Sequence, residues 1–122
     1  MQFVFVIEPS GVIRQKLAKI IRGCGYEPLF SLDGSDISSK FQENKDEILL
    51  VMMEWYLPSM QGVEVLVQLK ESVCQNIPVV FVTTESKKEN VVMALKNGAS
   101  DYIIKPFSEK QIKQKIQRFV QK

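Results

Sequence analysis

Glu8, Glu54, Thr83 and Lys105 are the residues of this 122-residue chain whose types and settings suit them to act together. Each follows an apolar run of strand length, over residues 3–7, 48–53, 78–82 and 102–104 respectively. Two carboxylates, a hydroxyl and an ammonium in one place would suit a divalent cation and a phosphoryl group. The carboxylates would hold Mg²⁺, and the hydroxyl and ammonium would bind phosphoryl oxygens. The same four side chains would equally make a structural cluster, with Glu54 paired to Lys105 and Thr83 satisfying a spare oxygen. Glu54 is the most informative of them. It ends the longest apolar run and precedes a loop carrying Pro58 and Gly62. Open α/β sheets place their ligand sites there, outside the carboxyl ends of the strands. A carboxylate accepting a phosphoryl group at that point would make the chain a phosphorylation switch.

The elements that must position these residues can be read from apolar periodicity. Residues 3–7 are β-branched and aromatic, a strand bounded by Glu8-Pro9. Ser10 then caps a helix whose apolar positions Ile13, Leu17, Ile20 and Ile21 follow helical spacing, closed by Gly23 and Gly25. Residues 26–30 form a weaker strand, and Pro28 within it marks a sheet edge because proline cannot donate to a ladder. Ile37 and Phe41 make the i, i+4 pair of a short second helix, and residues 62–70 a third. Residues 48–53 are apolar throughout, as in a central parallel strand covered on both faces. Val91, Val92 and Leu95 mark a fourth helix, closed by Asn97-Gly98, and Ile112, Ile116, Phe119 and Val120 the stripe of a fifth.

Five strands and five helices in alternation predict an α/β fold with a parallel sheet covered on both faces. Right-handed crossovers, an edge position for the second strand and central positions for the first and third give the order 2-1-3-4-5. This is the flavodoxin-like doubly wound arrangement. The length predicts one domain over residues 1–122.

Composition excludes several classes of chemistry. The chain has no histidine, which removes Ser-His-Asp, Cys-His and His-metal sites as well as a phosphohistidine carrier. Cys24 and Cys74 stand far apart with no CxxC partner and read as reduced thiols. A net charge of +2 gives no argument for nucleic acid. No apolar run approaches a membrane span, and the N-terminus lacks the pattern of a signal peptide, so a cytoplasmic location is expected.

Three segments carry a resemblance. Residues 77–92 (IPVVFVTTESKKENVV), residues 96–107 (KNGASDYIIKPF) and the loop 57–62 (LPSMQG) occur in order and at the right spacing. Together they resemble the receiver domain of two-component response regulators, most closely the single-domain chemotaxis type, and the likeness runs end to end. It implies that Glu54 stands at the phosphoacceptor aspartate, Thr83 at the switch hydroxyl, Lys105 at the lysine contacting the phosphoryl group, and Tyr102 at the aromatic whose rotamer reports activation. It also implies a cis peptide before Pro106, and it sets Glu8 and Pro9 where the family has its pair of metal-binding acids.

Two departures from the family pattern follow. Pro9 has no carboxylate, so Glu8 and Glu54 are left as a weak metal site. Each carboxylate lost removes roughly 8 kcal/mol of gross attraction to a divalent ion at ~4 Å and an effective dielectric near 20. Glu54 carries one methylene more than aspartate, about 1.5 Å of extra reach. In an in-line transfer such an error costs on the order of 100-fold.

The expectation is therefore an atypical, non-enzymatic receiver. It would bind Mg²⁺ weakly or not at all and need no other cofactor. It would act by protein contact through the face of the fourth helix, fifth strand and fifth helix (residues 87–121), with a histidine kinase as the upstream partner. The alternatives are a conventional Mg²⁺-dependent phosphorylatable receiver and a small flavodoxin-like cofactor binder. Against the last, Glu8-Pro9-Ser10-Gly11 is a poor phosphate cradle. Trp55 is expected at the rim of the site. The basic residues Lys110, Lys113, Lys115, Arg118 and Lys122 are expected to form a solvated face.

Overall fold

A computed structural model describes residues 1–72 and 75–120. The expectations for Cys74 and Lys122 fall outside that range. The elements alternate as the periodicity predicts: β1 (Phe3–Ile7), α1 (Gly11–Gly23), β2 (Glu27–Ser31), α2 (Ile37–Asn44), β3 (Ile48–Met53), α3 (Gly62–Ser72), β4 (Val79–Thr83), α4 (Lys88–Lys96), β5 (Asp101–Ile104) and α5 (Glu109–Phe119). All strand pairings are parallel and the order is β2-β1-β3-β4-β5, as expected.

Alternation along the central strands sorts the core into two layers. Phe5 and Ile7 of β1, Val51 and Met53 of β3, and Val79 and Phe81 of β4 face α2, α3 and α4, packing with Phe41, Leu66, Leu69 and Ala94. Val4, Val6, Leu50, Met52, Val80 and Val82 face α1 and α5, packing with Leu17, Ile20, Ile21, Ile112 and Ile116. Both faces of the sheet are thus dry, which explains why β3 and β4 read as unbroken apolar runs.

Local signals end the helices where expected. Ser10 accepts a hydrogen bond from the Ile13 N–H, and Gly25 and Gly98 take φ values of +91° and +109° beyond the ends of α1 and α4. β2 pairs only with β1, so Pro28 lies on an edge strand as predicted.

The structure adds the orientation of α4 and corrects the placement of Trp55. The helical spacing of Val91, Val92 and Leu95 marks α4, but its fully buried residue is Ala94; Val92 is 38% exposed and Leu95 46%. Trp55 is not a rim residue. It is 1% exposed, with its ring 5.8 Å from that of Phe81. On α5, Lys115 turns to Asp101 at 2.6 Å, whereas Arg118, 3.8 Å from the same carboxylate, stays 67% exposed as a solvated face requires.

Candidate functional site

The sheet delivers all four sequence-predicted residues to one rim. Ile7 lies opposite Met53 in the β1–β3 register, so Glu8 and Glu54 emerge side by side. Thr83 lies opposite Ile104, so Lys105 emerges next to the end of β4. Single backbone bonds extend the ladders past the strand ends: Glu54 N–H to the Ile7 carbonyl at 3.0 Å, and Lys105 N–H to the Thr83 carbonyl at 2.8 Å.

Gly62 fixes the turn after Glu54. Its N–H donates to the Trp55 carbonyl at 2.5 Å. A Cβ on Gly62 would run into the Glu54 carbonyl and lie 2.9 Å from Trp55 Cα. Only glycine allows α3 to start this close to the strand end.

Lys105 Nζ donates to Glu8 Oε1 at 2.7 Å and to Glu54 Oε1 at 2.8 Å, and its side chain is only 12% exposed. The other oxygens are taken as well. Glu8 Oε2 accepts from the Ser10 N–H at 2.9 Å. Glu54 Oε2 accepts from the Tyr56 N–H at 2.9 Å and from the Thr83 hydroxyl. Burial works against the Lys105 charge, but its hydrogen bonds to Glu54 and Glu8, with their negative charges, outweigh it and hold its pKa above the ordinary lysine value. The Lys105–Pro106 peptide is cis, as expected.

Tyr102 stacks on Phe81, with centroids 5.5 Å apart and planes at 16°. Its hydroxyl donates to the Glu85 carbonyl at 2.8 Å. Burial, then the charges of Glu85 and Glu54, push its phenol pKa upward.

Three residues of the site escaped the sequence reading. Arg14 donates from one guanidinium nitrogen to the carbonyls of Glu8 and Pro9, both at 2.8 Å, and so pins the β1–α1 loop. Glu85 is 6% exposed; its N–H donates to Thr83 Oγ1 at 3.2 Å, and its carboxylate accepts from the Lys87 N–H at 2.9 Å and from the Tyr56 hydroxyl. Tyr56 is the third. The one available signal was an acid two residues beyond Thr83, in a loop otherwise indistinguishable from solvated sequence.

With the geometry in place, comparison with known proteins assigns the class. Residues 4–117 match the response regulator receiver domain, and the chain belongs to that family. It is 32% identical over 114 residues to the phosphate regulon transcriptional regulatory protein PhoB of Escherichia coli, covering 93% of this chain and 49% of that protein. It therefore spans about half the length of that relative. It is 29% identical over 116 residues to the chemotaxis protein CheY1 of Helicobacter pylori, covering 93% of both. Among solved structures, Vibrio cholerae chemotaxis protein CheY4 superposes with a TM-score of 0.88 at 25% identity, covering 98% of this chain and 99% of that one. No helix among the described residues is long and apolar enough to cross a membrane.

The Mg²⁺ that the resemblance implies does not fit the donors present. A third acid is replaced by Pro9, and the four oxygens of Glu8 and Glu54 already accept from Lys105, Ser10, Tyr56 and Thr83. An ammonium bridges the two carboxylates where a cation would have to bind. Mg²⁺ demands near-ideal oxygen geometry and gives up water reluctantly.

Proposed function

We propose that this receiver domain is a pseudo-receiver. It is a cytoplasmic, non-enzymatic signalling module in which Glu54 provides a fixed negative charge where conventional receivers carry a removable one. One observation carries the reading. Thr83 and Lys105, which the resemblance assigns to the phosphoryl group, both bind the Glu54 carboxylate itself. The extra methylene of Glu54 places its oxygens among the groups that would otherwise wait for the modification. The inward hydrogen bond of Tyr102 to the Glu85 carbonyl agrees with a domain held in one state.

Output runs through protein contact on α4, β5 and α5. Val92, Leu95 and Ile104 (40% exposed) offer apolar contact there, bordered by Lys87, Lys88 and Lys96. A partner with apolar side chains and acidic flanks suits this face. A histidine kinase is the upstream partner that family membership suggests.

The test uses the purified chain with acetyl phosphate and Mg²⁺. The mass should stay unchanged, with no acid-labile phosphoryl group added. Trp55 fluorescence, read from the residue that follows Glu54 in the chain, should stay flat through millimolar Mg²⁺. Stoichiometric labelling with saturable quenching would instead restore the conventional Mg²⁺-dependent switch.

A further inference from the structure

Glu85 is a buried acid whose carboxylate the proposed function does not use, and all four of its polar atoms are engaged. Its N–H donates to Thr83 and its carbonyl accepts from the Tyr102 hydroxyl. Its carboxylate accepts from the Lys87 N–H through Oε1 and from the Tyr56 hydroxyl through Oε2. Tyr56 is 52% exposed, yet it is tied at both ends: its N–H reaches Glu54 Oε2 at 2.9 Å and its hydroxyl reaches Glu85. Glu54, Thr83, Glu85 and Tyr56 therefore close a ring of hydrogen bonds, with the phenol ring of Tyr56 spanning the gap between the ends of β3 and β4.

We propose that the Tyr56–Glu85 hydrogen bond is a latch that fixes the β4–α4 loop, and with it the first turn of α4, to the Glu54 carboxylate. Lys87, the N-cap of α4, makes no side-chain cap; its N–H is instead held by Glu85. α4 also buries fully only Ala94, so little else sets where its N-terminal turn lies. The two partners' acidities agree with a phenol donating to a carboxylate. The Tyr56 hydroxyl holds the Glu85 carboxyl below its ordinary value, and Glu85 raises the Tyr56 phenol. The Tyr102 hydroxyl grips the same residue from β5, so the loop is clamped both from that strand and from the loop after β3. Tyr56 thus acts as a positioning residue for α4. The inference rests on the proposed function only for what α4 does with a partner, and its test reads the loop directly.

The experiment is site-resolved amide hydrogen exchange on Tyr56→Phe, which removes one hydroxyl from a half-exposed ring, with Tyr102→Phe and the double variant alongside. Loss of one hydrogen bond corresponds to roughly 2- to 10-fold in an opening equilibrium. Tyr56→Phe should therefore speed exchange by that factor at residues 85–91 while leaving Ile112 and Ile116 of α5 unchanged. The double variant should depart from the product of the single effects, because both hydroxyls hold one residue. Unchanged exchange at residues 85–91 overturns the latch. So does a uniform increase across α4 and α5, which would reduce Tyr56 to a general contribution to stability. Phosphoryl labelling of Glu54 would sink the proposed function and leave this exchange result standing.

Discussion

Helices α4 and α5 flank β5 from opposite faces of the sheet and are fixed in opposite ways. α5 opens on a capping box, Ser108 with Gln111, and buries Ile112 and Ile116 completely in the layer shared with α1. Each such side chain contributes about 1.5–3 kcal/mol by leaving water. α4 has no side-chain cap, buries one alanine fully, and turns Val92, Met93 and Leu95 outward. A helix held by its core barely registers what happens at the strand ends. A helix held by a few polar contacts to the loop before it is set by that loop, and local stabilities within one domain differ for this reason. The loosely held helix is also the one that presents an apolar surface.

The contrast can be broken most severely from the α5 side. Ile116→Ala should cost about 2–5 kcal/mol of unfolding free energy, measured by urea denaturation. A cost near zero would mean that α5 is no better anchored than α4.

The polar rim comes next. Lys105→Met would leave Glu8 and Glu54 facing each other with no cation between them, and should cost roughly 3 kcal/mol at neutral pH. The same ammonium sets an alkaline limit. Its folded pKa is raised above the unfolded value, so its contribution is complete below about pH 10 and declines as pH climbs through the folded value. Lys105→Met should abolish that alkaline loss; a wild-type and variant pair with parallel stability curves above pH 10 would contradict the assignment.

The smallest effect sharpens the comparison. Leu95→Ser removes an exposed apolar side chain and should shift stability by no more than about 0.5 kcal/mol in either direction. It should weaken capture of a partner docking on α4. A large loss of stability would place Leu95 in the core after all.

Much of the fold was legible because β1 and β3 announce themselves. A β-branched and aromatic run marked β1 and an unbroken apolar run marked β3, both to the residue, and Pro28 put β2 at the edge. The four rim residues were legible for the same reason, since each ends a strand or directly follows one and topology alone brings strand ends together. The orientation of α4 was not. Three apolar residues at helical spacing say that a helix forms, but which side meets the sheet depends on neighbours that periodicity does not name. Ala94, the smallest apolar residue of that stretch, takes the buried place. Trp55 hid in the same way: beside Glu54 in sequence it reads as rim, whereas the turn at Gly62 sends its indole under the loop against Phe81. The roles of Glu85 and Tyr56 rest on each other across 29 residues of chain, a pairing that local patterns do not encode.

The proline of β2 has one more consequence. Glu27 N–H donates to the Gln2 carbonyl at 3.0 Å, so by the two-residue repeat Glu27, Leu29 and Ser31 aim their amides at β1 and position 28 aims outward. Proline there erases a donor along the open margin, where an incoming chain would otherwise zip on. Growth of this sheet into a cross-β stack is blunted on that side. Self-association through backbone pairing is thereby disfavoured on the β2 side relative to the β5 margin opposite.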